Sequence, residues 1–160
     1  MLCFHNSVLI HRDIEDVYRY IAVDFFDNYQ RWCPEVCELE KVTPGDMQVG
    51  IIGRQVRCDH GYRSEAYFKV TRLEPQREIH FASLSKPDFN VCYRFEPVAM
   101  ATQVTFEFKI KPPLMGLPFR GRMREAMQQG GERVVANLQT LLEAGADVSM
   151  AGTVQVAAPD

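Results

Sequence analysis

The stretch TQVTFEFKI (residues 102–110), KPPLMGLPF (111–119), RGRMREAMQQGGERVVANLQTLLEA (120–144) changes its hydrophobic period part-way and so decides the fold. Its first segment alternates strictly: Val104, Phe106, Phe108 and Ile110 point one way, Thr105, Glu107 and Lys109 the other, the mark of a half-buried strand. Pro112 and Pro113 cannot donate to a sheet ladder and end it. From about Leu117 to Ala144 the apolar residues recur at helical spacing. Met123, Met127, Gly130, Val134, Leu138 and Leu141 form one stripe, opposite Glu125, Gln128, Glu132, Gln139 and Glu143. A helix of this length spans about 40 Å, enough to cross a whole sheet. Gly145 is placed to cap it, leaving 145–160, which has no aromatic residue, as a flexible C-terminal tail after a domain of residues 1–144.

Upstream of residue 102 the period of two repeats. Strands are expected at 36–42, 51–58, 64–73, 78–84 and 89–95, separated by Pro44-Gly45-Asp46, Asp59-His60-Gly61, Glu74-Pro75-Gln76 and Lys86-Pro87-Asp88. Ala66, Phe68 and Val70 share one face, as do Phe89, Val91, Tyr93 and Phe95. Short strands joined by tight turns make an antiparallel meander. A further strand at 4–10 precedes two short helices. Asp13 caps the first, 14–22, with Glu15 and Asp16 in its first turn. Asp27 with Gln30 starts the second, which runs through Trp32 and stops at Pro34. The class is α+β: an antiparallel sheet of about seven strands in the order β-α-α-β6-α, curved around a long C-terminal helix.

Bulk properties narrow the function classes. At 160 residues the chain suits one domain, and 46% hydrophobic with 24% charged residues is ordinary for a globular protein. A net charge of −3 argues against a general nucleic-acid binder. No run approaches the ~20 apolar residues of a membrane span. The N-terminus has neither the basic start nor the apolar core of a signal peptide, so a cytoplasmic location is expected. The five cysteines form no Cys-x-x-Cys pair and the four histidines stand singly in the sequence. Reduced, buried or half-buried cysteines, no metal and no cofactor are therefore expected.

Several local segments carry a family likeness. They include Asp13-Ile14-Glu15-Asp16-Val17-Tyr18, Asn28-Tyr29-Gln30-Arg31-Trp32-Cys33-Pro34, Leu73-Glu74-Pro75 before Ile79-His80-Phe81, Tyr93-Arg94-Phe95-Glu96-Pro97, and Leu138-Gln139-Thr140-Leu141-Leu142-Glu143. In this order the chain resembles the START-like helix-grip superfamily (SRPBCC), and within it the polyketide cyclase/dehydrase-like ligand-binding proteins. Tyr29-x-x-Trp32-x-Pro34 is also similar to a signature of ubiquinone-binding chaperones of that superfamily, although Val36 stands where those place a cysteine and Cys37 follows one later. The resemblance implies an apolar cavity between sheet and C-terminal helix.

Candidate pocket residues follow from inward direction. Phe68, Phe81 and Phe106 supply aromatic walls, and Val134, Met123 and Met127 the helix side. Trp32 either gates the mouth or anchors its helix to the sheet. Gly130 and Gly131 leave room for a ligand, let a strand approach, or kink the helix; each costs about 1 kcal/mol relative to alanine. Tyr93 is inward and needs a hydrogen-bond partner. Arg54 shares a face with Ile52 and Val56 and is read as a ligand clamp or half of an ion pair. Tyr67, His60 and His80 are further polar candidates.

The expected function is binding or transport of a hydrophobic small molecule: a lipid, an isoprenoid or quinone, or an aromatic polyketide. No nucleophile elbow, phosphate loop or metal signature is present, so catalytic residues stay unassigned and enzyme status open, with a non-enzyme favoured. The alternatives are a polyketide cyclase, aromatase or dehydratase in the same cavity, assisted by Tyr93, His80 or Arg54, and a protein-interaction module. Arg120, Arg122 and Arg124 crowd the helix start. They are a solvated face or, through Arg120 and Arg124, a peripheral contact for an anionic membrane or an acyl-carrier protein. The oligomeric state is left open.

Overall fold

The computed structural model describes residues 1–59, 61–111 and 120–157, with side chains of the long helix described over 121–144. The turn residue His60, the proline pair, the expected helix start at Leu117 and the Arg120 side chain lie outside these.

Seven strands form one antiparallel sheet: β1 (Leu2–Ile10), β2 (Val36–Lys41), β3 (Ile52–Asp59), β4 (Tyr62–Glu74), β5 (Glu78–Ser83), β6 (Phe89–Val98) and β7 (Ala101–Ile110). Their spatial order is β1-β7-β6-β5-β4-β3-β2, a meander with β1 added beside β7. Register slips at Val36/Glu38 and Val70/Arg72 add an unpaired residue and sharpen local twist, one source of the sheet's curvature. Between β1 and β2 lie α1 (Ile14–Tyr18) and α2 (Phe25–Trp32). The Asp13 carboxylate caps α1 by accepting from the Asp16 amide at 2.8 Å. The continuation of α1, Arg19–Val23, widens into a π turn closed by the Asp24 amide on the Arg19 carbonyl. The second helix departs from expectation: it begins at Phe25, with Asp27 already in its first turn, so no Asp27/Gln30 capping box forms.

The last helix, α3 (Arg120–Ala157), runs past Gly145, which is therefore inside the helix and not its cap. An i→i+4 backbone ladder tolerates glycine at about 1 kcal/mol, too little to force an end. The C-terminal half of the described side chains buries Val134, Val135, Leu138 and Leu142 against the concave face. Four polar ties fix it there. Arg12 donates to the Leu142 carbonyl (2.8 Å), Gln139 to the Leu9 carbonyl (3.0 Å), Asn137 to the Trp32 carbonyl (3.1 Å), and the His11 amide to Glu143 (3.1 Å).

The glycine pair has separate explanations. Gly130 faces outward, where an added Cβ would meet only the end of Arg133 at 3.8 Å. Gly131 is buried against β1, and an added Cβ would collide with the Asn6 side chain. It thus admits a strand side chain under the helix, the close-approach alternative, instead of leaving ligand room. The fit is imperfect, because Asn6 Nδ2 is buried with no partner among the described residues. Gly131→Leu should push α3 off β1 and destabilise the fold by about 1–3 kcal/mol. Asn6→Ala combined with Gly131→Ala should restore or exceed wild-type stability, since alanine gains about 1 kcal/mol in a helix. Urea unfolding midpoints at unchanged slope measure both; a wild-type midpoint for Gly131→Leu would remove the contact from the account.

Candidate functional site

The concave face is built from alternate residues of five strands, with α2 lying across it. Trp32 is 1% exposed at the centre and sits among Phe25, Tyr20, Tyr29 and Tyr93, with ring centroids 5.7–6.1 Å away. It is an anchor; it does not line a mouth. Phe68, Phe81 and Phe106 line the floor as expected, with Tyr93 5.2 Å from Phe106 and 6.5 Å from Phe81. The Trp32 indole N–H donates to the Tyr93 hydroxyl at 3.2 Å. Among the described residues that hydroxyl's own proton has no acceptor. Burial raises the Tyr93 pKa, against the opposing bond from Trp32, so the phenol stays protonated at neutral pH.

Exposure along β6 and β7 is graded. Tyr93 pairs with Phe106, Val91 with Phe108, and Phe89 with Ile110. Tyr93 is 2% exposed, whereas Val91, Phe108 and Phe89 are half-buried. Met127 packs beside Leu2, Phe4 and Ile110 at that end, and Met123 is half-buried one turn earlier. An apolar strip thus leads from the N-terminal half of α3 to the buried phenol. Next to it a cleft of about 540 Å³ lies between β1 and α3, with Leu2 and Phe4 as floor and Arg124, Glu125, Gln128 and Glu132 as rim. Arg124, Glu125 and Glu132 all line the helix side of this cleft, one positive charge against two negative.

Three expected polar residues, Arg54, Tyr67 and His80, lie elsewhere. Arg54 is opposite Glu40 and Tyr67 on the convex face and forms ion pairs with Glu65 (2.7 Å), Glu38 (3.7 Å) and Glu40 (3.9 Å). It is the ion-pair alternative, and Ile52 and Val56 share its outward face. His80 also lies outside, opposite Cys92. The inward phase of β3 belongs to Gly53, Gln55 and Arg57, and Gly53 is there because an added Cβ would strike Phe68 and Phe26. Arg57 is the group that sequence reasoning missed: half-buried, its Nη1 reaches Cys33 Sγ at 3.8 Å and its Nε pairs with Asp59 at 3.1 Å. Burial pushes the Cys33 thiol up to about 11, with Arg57 opposing. A glycine among apolar neighbours hides the phase of β3, since Gly53 has no side chain to count. The cysteines also depart from expectation in part: Cys33 and Cys92 are buried, while Cys3, Cys37 and Cys58 are exposed.

Of Tyr93, His80 and Arg54, only Tyr93 reaches the interior. With Cys33 and Arg57 near the rim, the concave face offers a phenol donor, a protonated thiol and a cation, with aromatic walls around them.

The family described as polyketide cyclase/dehydrase and lipid transport matches over residues 1–143. The chain belongs to this family. Among solved structures it is similar to a protein of Thermus thermophilus, at 18% identity and TM-score 0.73, covering 90% of this chain and 99% of that one. A protein of Deinococcus radiodurans gives 14% identity and TM-score 0.68, with 91% and 99% coverage. The di-domain ARO/CYC protein StfQ of the steffimycin biosynthetic pathway gives 14% identity and TM-score 0.72, over 91% of this chain and 51% of that one. At such identities the likeness shows the helix-grip fold alone. A comparison with curated proteins finds no match.

The convex face supports a pH prediction. Glu107 is 7% exposed, yet its pKa is lowered: burial raises it, and bonds from Arg94 (2.9 Å) and Lys109 (3.1 Å) outweigh that. A depressed carboxylate stabilises the fold above its unfolded pKa of about 4.3 and loses that contribution as pH falls through the folded value. Glu107→Gln should be less stable than wild type at pH 7, and the difference should shrink as pH drops below about 4. Denaturant midpoints across pH 3–7 (roughly the carboxylate range) read this; parallel curves would mean Glu107 is uncoupled from folding.

Proposed function

We propose that the chain binds a hydrophobic small molecule carrying at least one oxygen acceptor, such as a quinone, an isoprenoid or an aromatic polyketide, on the concave face between sheet and α3. The observation that carries this reading is the Tyr93 phenol: protonated, oriented by Trp32, enclosed by Phe81 and Phe106, and with its proton uncommitted among the described residues. A buried hydroxyl without an acceptor costs about 1–3 kcal/mol, which a ligand carbonyl would recover. The half-buried strip through Val91, Phe108 and Phe89 supports an approach from the Met123/Met127 end. Methionine side chains adapt to ligands of varied shape. In that approach Phe68, Val134 and Trp32 act as walls.

Binding is favoured over conversion on the same ground. A phenol held protonated by burial can donate a hydrogen bond but cannot take up a proton. His80 and Arg54, the groups that would assist a cyclase or dehydratase, face the other way. Conversion would therefore have to rest on Tyr93 donating to a carbonyl, with the substrate's own shape directing ring closure.

Trp32 emission provides the test. A short-chain quinone should quench it saturably, because the indole lies within one ring of the proposed acceptor site. Tyr93→Phe should keep the fold and weaken binding about 2–10-fold, the worth of one neutral hydrogen bond. An aliphatic chain of equal length without oxygen should bind wild type and Tyr93→Phe alike. Unchanged emission with both quinone and aromatic polyketide at saturating concentration would end this reading.

A further inference from the structure

On the convex face, opposite the proposed binding surface, β5 and β6 bring together three side chains that the ligand site does not use. His80 and Cys92 are register partners, and Glu78 precedes His80 by two residues and so shares its face. His80 Nε2 is 3.3 Å from Cys92 Sγ and 3.4 Å from Glu78 Oε2, and all three donor atoms lie within 4.8 Å of one another. A tetrahedral zinc ion, with bonds of about 2.0 Å to nitrogen and oxygen and about 2.3 Å to sulfur, spaces its ligand atoms about 3.3–3.5 Å apart. The two measured edges already match that spacing to within a few tenths of an ångström. We propose that Glu78, His80 and Cys92 form a metal site of the zinc class that staples β5 to β6, with water as fourth ligand.

The surroundings fit this role. In the Glu78 carboxylate Oε2 lies 3.4 Å from His80 Nε2 and 3.5 Å from Arg94 Nε, while Oε1 is held by Arg72 Nε at 2.7 Å. Such an outer partner fixes a ligand's orientation, as neighbouring groups do in metal sites generally. Cys92 is buried, and His80 and Glu78 are half-buried, so the cluster lies just beneath the outer surface. Imidazole plus thiolate selects zinc or cobalt over the hard cations magnesium and calcium. The carboxylate and the thiolate neutralise a divalent ion; Arg94 bonds Glu107 at 2.9 Å and keeps a weaker contact with Glu78 Oε2 at 3.5 Å, which the ion would replace. The metal replaces the thiol proton, Cys–SH plus M²⁺ giving Cys–S–M⁺ plus one proton released to solvent. The Cys3–His5 contact at 3.2 Å is a poorer candidate, because His5 turns Nε2 to Cys3 and Nδ1 to Glu107 (3.3 Å), so no single ring nitrogen meets both.

Cobalt(II) titration of the full chain under reducing conditions tests the site. Wild type should develop thiolate-to-cobalt absorption saturating at about one ion per chain, as three protein ligands and one water predict. Cys92→Ser should abolish the band, His80→Ala and Glu78→Gln should weaken binding roughly tenfold or more, and Cys3→Ser should leave it intact. Zinc at a hundredfold excess over its wild-type Kd should raise the wild-type Tm by about 5–10 °C and that of His80→Ala by no more than about half as much. Since His80 is half-buried on the outer face, that variant should fold and report even if Cys92→Ser does not. No charge-transfer band in wild type, or a band that survives His80→Ala at wild-type affinity, overturns the proposal. Quinone quenching of Trp32 is read independently, so failure of either reading leaves the other standing.

Discussion

The structure depends on covering one face of a curved sheet. Ile79, Phe81, Tyr93, Phe95, Val104 and Phe106 all point to the concave side, and none would stay out of water without α3 and the two short helices. Each such side chain contributes roughly 1.5–3 kcal/mol when buried. The cover is fastened unevenly. The C-terminal half of the described α3 has Val134, Val135, Leu138 and Leu142 in the core and four polar ties to β1, the segment after it, and α2. The N-terminal half has half-buried Met123 and Met127 and the side-chain-less Gly131 on its inner side, with Gln128 touching Asn6. Local opening follows local contact density, so the half nearer Phe89 and Phe108 is the one that opens at least cost.

That asymmetry links packing to the proposed chemistry. The tightly held end carries Trp32, whose carbonyl is tied to Asn137 and whose indole is tied to Tyr93. The phenol is therefore preorganised by the same contacts that fix the helix, and its orientation adds no further entropic cost when a ligand arrives. The loosely held end supplies apolar, adaptable surface. The family's description spans cyclase, dehydrase and lipid transport, so the fold by itself does not fix the activity.

The two faces of the sheet are chemically opposed. Inside, aromatic rings meet at centroid distances of 4.5–6.5 Å with hardly a charge among them. Outside, Arg54 with its three glutamates and Arg94 with Glu78 and Glu107 make continuous charged rows across neighbouring strands. Cross-strand pairing puts residues distant in sequence within about 5 Å of one another. This is how His80 and Cys92, isolated residues in the sequence, come to share a site.

Element order, the antiparallel meander and most strand bounds were legible in the chain itself, because a period of two over seven segments has no other economical solution. So was the inward direction of Phe68, Tyr93, Phe106 and Val134, which follows from alternation and helical spacing. Which way Arg54 and Arg57 face was settled only by three-dimensional packing, since Gly53 breaks the apolar count on β3 and burial of Val56 on the outer side mimics a core position. Packing alone also settled that Gly131 accommodates Asn6, because that contact joins two distant segments with no local signal. The Glu78–His80–Cys92 cluster was invisible for the same reason. Its members meet through strand register, a property set by how the whole sheet buries its concave face and not by any one segment of the chain.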